Sequence, residues 1–135
     1  MFGFLRKCKL WWRRFTNVNV RRGRLGEKTA VKFFKKAGYK IVDKNWRSGR
    51  YELDIVVYKQ GCFAFVEVRG RSTLQLRSGY DTVDKHKRSA IKIAIEAYLK
   101  AHRYIRVYRF DVVSIAWDEH GKIVQLNHYE NVTLK

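Results

Sequence analysis

An α/β domain is the fold class this sequence predicts, and three observations carry the prediction. The spacing of apolar residues switches between helical period and strand alternation, in the order helix, three strands, helix, two strands. Of the 135 residues, 46% are hydrophobic and 15% aromatic, too apolar a mixture for a disordered cationic tail. A chain of this length buries roughly 70% of the surface it exposes when unfolded, enough for one real core.

The elements follow in order. The first 24 residues carry eight basic side chains and no acid. On a helical wheel Phe4, Leu5, Cys8, Trp11, Trp12 and Phe15 share one arc, with Arg6, Lys7, Lys9, Arg13 and Arg14 around the rest. Such a face suits an anionic membrane surface or a partner's groove, or it packs back onto the domain. Residues 17–24 read as a basic linker, so the division is an arm over 1–24 and a domain over 25–135. Ala30, Val31, Phe33, Phe34 and Ala37 predict a helix over about 26–37, stopped by Gly38 with Tyr39 as its apolar follower.

Residues 39–43, 51–58 and 62–69 read as strands rich in β-branched and aromatic side chains, the last two joined by a turn at Gln60-Gly61. Residues 70–81 form a polar, basic loop. Asp81, Thr82 or Asp84 then caps a helix whose apolar face is Ile91, Ala94, Ile95, Tyr98 and Leu99, and which should lie on the sheet. Residues 107–117 and 123–129 complete a final hairpin.

Charge narrows the function classes. Thirty Lys and Arg against 12 Asp and Glu leave a net charge of +18. A folded domain with this self-repulsion is built to meet a polyanion, either nucleic acid or an anionic membrane. Cys8 and Cys62 have no metal-ligand spacing and are too few for a disulfide scaffold, which points to a reducing compartment. No apolar run reaches the ~18 residues of a membrane span, and the N-terminus lacks a secretory leader's pattern, so a cytoplasmic location is expected. The four histidines fall at no ligand spacing and need no special role.

The hairpin carries the most specific signal. With a two-residue turn at Gln60-Gly61, Lys59 faces Cys62, Asp54 faces Glu67 and Glu52 faces Arg69. Period-two alternation places these last four side chains on one face and Leu53, Ile55, Val66 and Val68 on the other, in a core. Two facing carboxylates need something positive between them. A divalent cation such as Mg²⁺, which takes one or two carboxylates with a carbonyl and waters, meets that need. So does a lattice of ion pairs, Glu52 with Arg69 and Asp54 or Glu67 with Arg47, Arg50 or Arg71.

At these residues the sequence resembles the PD-(D/E)XK nuclease superfamily, and within it the bacterial YraN-type endonuclease family. The match runs through Gly26-Glu27 with Ala30, Gly38-Tyr39, Asn45-Trp46-Arg47, Glu52-Leu53-Asp54, Phe65-Val66-Glu67-Val68-Arg69 with Arg71, Lys87, and Arg109-Phe110-Asp111. It implies a restriction-endonuclease-like core with a mixed central sheet flanked by helices. It implies further that Asp54 and Glu67 are metal ligands for Mg²⁺ or Mn²⁺, and that Glu27 supports the metal or its water. Arg69 occupies the third motif position, where lysine is usual; arginine keeps its proton above about pH 12 and stabilises phosphate charge without acting as a base. Leu53 stands where proline is common.

The expected function is a metal-dependent endonuclease-like protein that hydrolyses phosphodiesters at Glu27, Asp54, Glu67 and Arg69. It would bind DNA, rather than RNA, through backbone contacts from Arg47, Arg71, Arg77 and Lys87. Alternatives are a non-catalytic nucleic-acid-binding module with a degraded nuclease site, a junction resolvase of the same superfamily with the homodimer that usually accompanies it, and a membrane-surface protein acting through the arm. Lys87 either reaches phosphate or belongs to a solvated helical turn, and Arg47 either contacts phosphate or forms a surface ion pair. Arg109 and Asp111 are read as bracing the sheet, and Trp46 as core.

Overall fold

The computed structural model describes residues 20–72 and 85–134. Helix α1 spans Val20–Lys36, strands β1, β2 and β3 span Lys40–Ser48, Tyr51–Lys59 and Cys62–Ser72, helix α2 spans Lys85–Ala101, and strands β4 and β5 span Tyr108–Trp117 and Ile123–Tyr129. The five strands form one sheet in the order β1-β2-β3-β4-β5. All neighbours are antiparallel except β3 and β4, which run parallel because the chain returns through α2.

The two helices cover opposite faces of the sheet. Ala30 and Phe34 of α1 bury against Ile55, Val57, Val66 and Val113, whereas Ile91, Ala94, Ile95 and Tyr98 of α2 bury against Val56, Phe65 and Val112. Each pair of adjacent strand residues therefore feeds two cores, as alternation requires. Gly38 adopts φ +89, and the bonds Gly38 N–H to Lys35 O (3.1 Å) and Tyr39 N–H to Phe34 O (2.9 Å) close a glycine-terminated helix end. Gln60 (φ 50) and Gly61 (φ 81) are both left-handed, the turn whose twist matches a two-residue hairpin.

Three boundaries differ from expectation. Helix α1 begins at Val20, so 20–24 is helical rather than linker; arginine propagates a helix well, and the segment lacks a proline to stop it. Strand β1 continues through Asn45, Trp46 and Arg47 to Ser48. Trp46 anchors that extension by packing edge-on against Tyr98, ring centroids 5.0 Å apart, which holds an otherwise polar stretch at the sheet edge. Strand β3 runs to Ser72, paired with β4 up to Trp117, and so takes the first residues of the expected loop. The rest of that loop with Arg77, the capping candidates Asp81, Thr82 and Asp84, and the aromatic arm through Asn19 lie outside the described residues. Among the described residues no helix is long and apolar enough to cross a membrane.

Candidate functional site

The β2–β3 hairpin has the expected register from Lys59↔Cys62 to Ile55↔Val66, and its ladder ends there, one pair short of Asp54 and Glu67. Beyond that point β2 stays with β1 as far as Ser48↔Tyr51, and β3 stays with β4 as far as Ser72↔Trp117. The two strands part, and the Asp54 side chain fills the fork, its Oδ2 accepting the Val68 N–H at 3.0 Å.

The strand itself is irregular at this residue. Leu53 joins the α2-side core with Val56, while Ile55 and Val57 join the α1-side core. Period-two alternation is thus broken at Asp54, and the expected placement of Leu53 on the same face as Ile55 is corrected. Across from the break, Asn45 sits at φ 52, between the regular pairs Lys44↔Ile55 and Trp46↔Leu53. A left-handed residue opposite an interrupted pair is the local deformation that re-aims a strand side chain.

Four ionisable side chains meet at the fork. Asp54 (8% exposed), Glu67 (5%) and Arg69 (7%) are buried. Glu67 and Arg69 share the face of Phe65, toward α2. From the first turn of α2, Lys87 places its Nζ 3.3 Å from Glu67 Oε1 with only 13% of its side chain exposed. It is therefore a partner of the buried carboxylate and not a solvated turn residue. Burial opposes ionisation of Glu67, but Lys87 and Arg69, with hydrogen bonds from Asp54 and Lys87, outweigh it and hold the carboxyl below its usual range. Burial equally disfavours the Lys87 ammonium, and attraction to Glu67 and Asp54 overcomes it, so Lys87 is firmly protonated. Two carboxyls in hydrogen-bond contact share a proton or take a cation between them.

The other candidates fall elsewhere. Glu52 pairs with Arg47, by register and by an ion pair of 3.3 Å, and lies beyond the end of the ladder that was expected to set it across from Arg69. Arg47 has 70% of its side chain exposed, which makes that pair a rim contact. Arg71, half-buried, follows Arg69 on the same face of β3. Glu27 is half-buried on α1, one residue past Gly26, whose position lies close to Ile115 on the α1 side. Among the described residues no three His, Cys, Asp or Glu side chains gather closely enough to hold an ion, so Glu27 does not complete a three-carboxylate nest with Asp54 and Glu67. A divalent ion would rest on the two strand carboxylates, within what Mg²⁺ accepts when waters and a carbonyl supply the remainder.

A second buried acid lies on the α1 side. Asp111, fully buried, accepts from Arg109 Nε (3.0 and 3.2 Å) and from the Asn131 N–H (3.0 Å), and lies 2.7 Å from His128 Nε2. Arg109 also donates to the Tyr39 hydroxyl at 2.8 Å. This is the bracing expected of Arg109 and Asp111. His128, read as having no role, is part of it, ringed by Phe33, Phe34 and Tyr39. No ligand-like spacing in the sequence marks His128, because the contact depends on how β5 curls back beside Asp111.

These features define an α/β domain with a buried acid–base cluster at the fork of a hairpin. The chain belongs to the uncharacterised protein family UPF0102, whose model matches residues 26–115. It is 38% identical over 116 residues to a UPF0102 protein of Porphyromonas gingivalis, covering 82% of each chain. It is 32% identical over 110 residues to one of Pelotomaculum thermopropionicum, covering 81% of this chain and 92% of that one. Among solved structures, an XisH family protein from Nostoc punctiforme aligns with a TM-score of 0.38 at 18% identity, over 75% of this chain and 97% of that one. An fdxN element excision controlling factor from Anabaena variabilis aligns with a TM-score of 0.35 at 22% identity, over 69% and 90%. Likenesses this distant carry no argument about the fork.

Proposed function

We propose that this protein is a nuclease-like domain of the PD-(D/E)XK kind, with a restriction-endonuclease-like core, that engages the phosphodiester backbone of DNA at the fork between β2 and β3. The observation that carries the reading is the buried Asp54–Glu67 pair, set where the ladder opens and faced by two cations from different elements. Purely structural acids do not need an interrupted strand to be brought together. When bound, Mg²⁺ or Mn²⁺ would polarise a phosphodiester and lower the pKa of an attacking water. Asp54 and Glu67 would hold the ion, with Asp54 kept in place by the Val68 N–H.

Lys87 has the more specific part. The motif's lysine position is filled by Arg69, and Lys87 brings an ammonium from α2 to the same carboxylate. Its raised pKa suits it to stabilise phosphate charge rather than to remove a proton. Arg69 would add a second fixed positive charge, and Arg71, further along β3, a backbone contact.

The direct test is a nicking assay with the full chain, Mg²⁺ or Mn²⁺, and branched or single-stranded DNA. The wild type is expected to cut and Asp54→Ala not to. Equal cutting by both would overturn the assignment. One observation favours a second reading: with Lys87 and Arg69 present, the carboxylates already have matching positive charge without a metal. That would make the fork the relic of a nuclease site in a nucleic-acid-binding module. Unchanged DNA affinity with no cutting under any divalent ion would support it.

A further inference from the structure

The corner between α2 and β4 has a composition that neither the sheet nor the fork explains. From Ala97 to Tyr108 the chain carries Lys100, Arg103 and Arg106 and no acid. The turn is fixed, since His102 N–H bonds to Leu99 O (3.3 Å), Ile105 N–H to His102 O (3.1 Å), and Phe63 N–H to Val107 O (3.0 Å). Ile105 is its buried anchor at 8% exposure, yet its neighbours Tyr104, Val107 and Tyr108 are 64%, 58% and 50% exposed. Large apolar side chains left in water within five residues by a well-fastened turn point to a surface kept for a ligand.

The rings are also arranged. Tyr58 lies 4.8 Å from Phe63, Phe63 lies 6.0 Å from Tyr104, and Tyr108 lies 5.9 Å from Phe65, all centroid to centroid. Tyr108 borders a cleft of about 330 Å³ whose walls include Lys92, Ile95, Glu96 and Arg109. Arg103 and Arg106 are exposed beside the tyrosines.

We propose that this corner binds single-stranded nucleic acid, with bases stacking on Tyr104 and Tyr108 and phosphates held by Arg103 and Arg106. Interleaved tyrosine and arginine is the chemistry that site requires: ring faces accept any unpaired base, and guanidinium groups follow the backbone. An acidic peptide would engage the arginines and leave the rings idle. Duplex DNA offers the rings nothing, because its bases are already stacked on each other. The corner lies on the α2 side of the sheet, as Glu67 and Arg69 do, with Phe63 four residues before Glu67 on β3. The proposal does not depend on catalysis at the fork.

The test is fluorescence anisotropy of the full chain with labelled oligothymidylate and with duplex DNA, in chelator so that no divalent ion contributes. Tyr104→Ala with Tyr108→Ala should weaken single-strand binding by about tenfold or more and leave duplex binding unchanged. The phenylalanine pair should restore wild-type affinity. Arg103→Gln with Arg106→Gln should reduce the steepness of log affinity against log salt by about 1.4 for two lost phosphate contacts. Wild-type affinity in the alanine pair, an equal loss on duplex, or an unchanged salt slope in the arginine pair would each overturn the proposal. Loss of nicking in Asp54→Ala with single-strand binding intact would speak to the fork alone, and the reverse to the corner alone.

Discussion

Two buried acids on opposite faces of the same sheet have opposite surroundings. Asp111 is met by three donors built into its own end of the sheet: Arg109 two residues away on the same strand, His128 on the neighbouring strand, and the backbone of Asn131. Glu67 instead meets another carboxyl, Asp54, and is balanced by Arg69 and by Lys87 arriving from α2. The first arrangement leaves nothing to change without loss. The second combines like charges, which cost energy in a buried site, with a cation delivered from a separate element. The contrast separates an acid that holds the fold from acids that the fold holds in place.

Substitution should expose that difference most strongly. Asp111→Asn removes the charge from beneath Arg109 and His128 and should cost about 3–5 kcal/mol in urea denaturation. Asp54→Asn relieves a carboxyl–carboxyl contact while keeping an acceptor for Val68, so its stability should stay within about 1 kcal/mol of wild type. Similar losses in the two variants would erase the distinction.

A smaller effect is expected from acid. Burial disfavours the Asp111 carboxylate, but His128, Arg109 and the Asn131 N–H more than compensate and lower its pKa from 3.8; Glu67 is likewise held below 4.5. Groups whose pKa falls on folding contribute stability that is complete above the unfolded value and drains away as pH drops toward the folded one. The melting temperature should therefore be level above about pH 5 and decline below about pH 4. Asp111→Asn should flatten that decline more than Asp54→Asn, as thermal melts across the acid range would record.

Much of this frame is legible in the sequence. Helical spacing and strand alternation predict seven elements in the right order, and the Gln60-Gly61 turn fixes the hairpin register down to Ile55↔Val66. Arg109 and Asp111 are legible as a pair because they sit two apart on one strand. What fails is whatever depends on a backbone irregularity or on a distant element. Extending ideal alternation through Asp54 misplaces Leu53 and carries the ladder on to Glu52 and Arg69, since no residue type announces that β2 stops pairing with β3 at that point while it stays with β1. Lys87 is legible as a basic residue opening a helix, but only the packing of α2 on the sheet turns its ammonium toward Glu67. Of the corner's tyrosines, Tyr108 falls in the strand expected over 107–117 and Tyr104 in no expected element, and only their exposure makes them stand out.

Calorimetric titration of Mn²⁺ into the wild type, Asp54→Asn and Asp111→Asn tests the central claim most directly, because it asks whether the fork holds an ion without requiring turnover. The account predicts one ion bound per chain in the wild type, retained in Asp111→Asn below its melting temperature and lost in Asp54→Asn. No binding in the wild type, or equal binding in the wild type and Asp54→Asn, would contradict it.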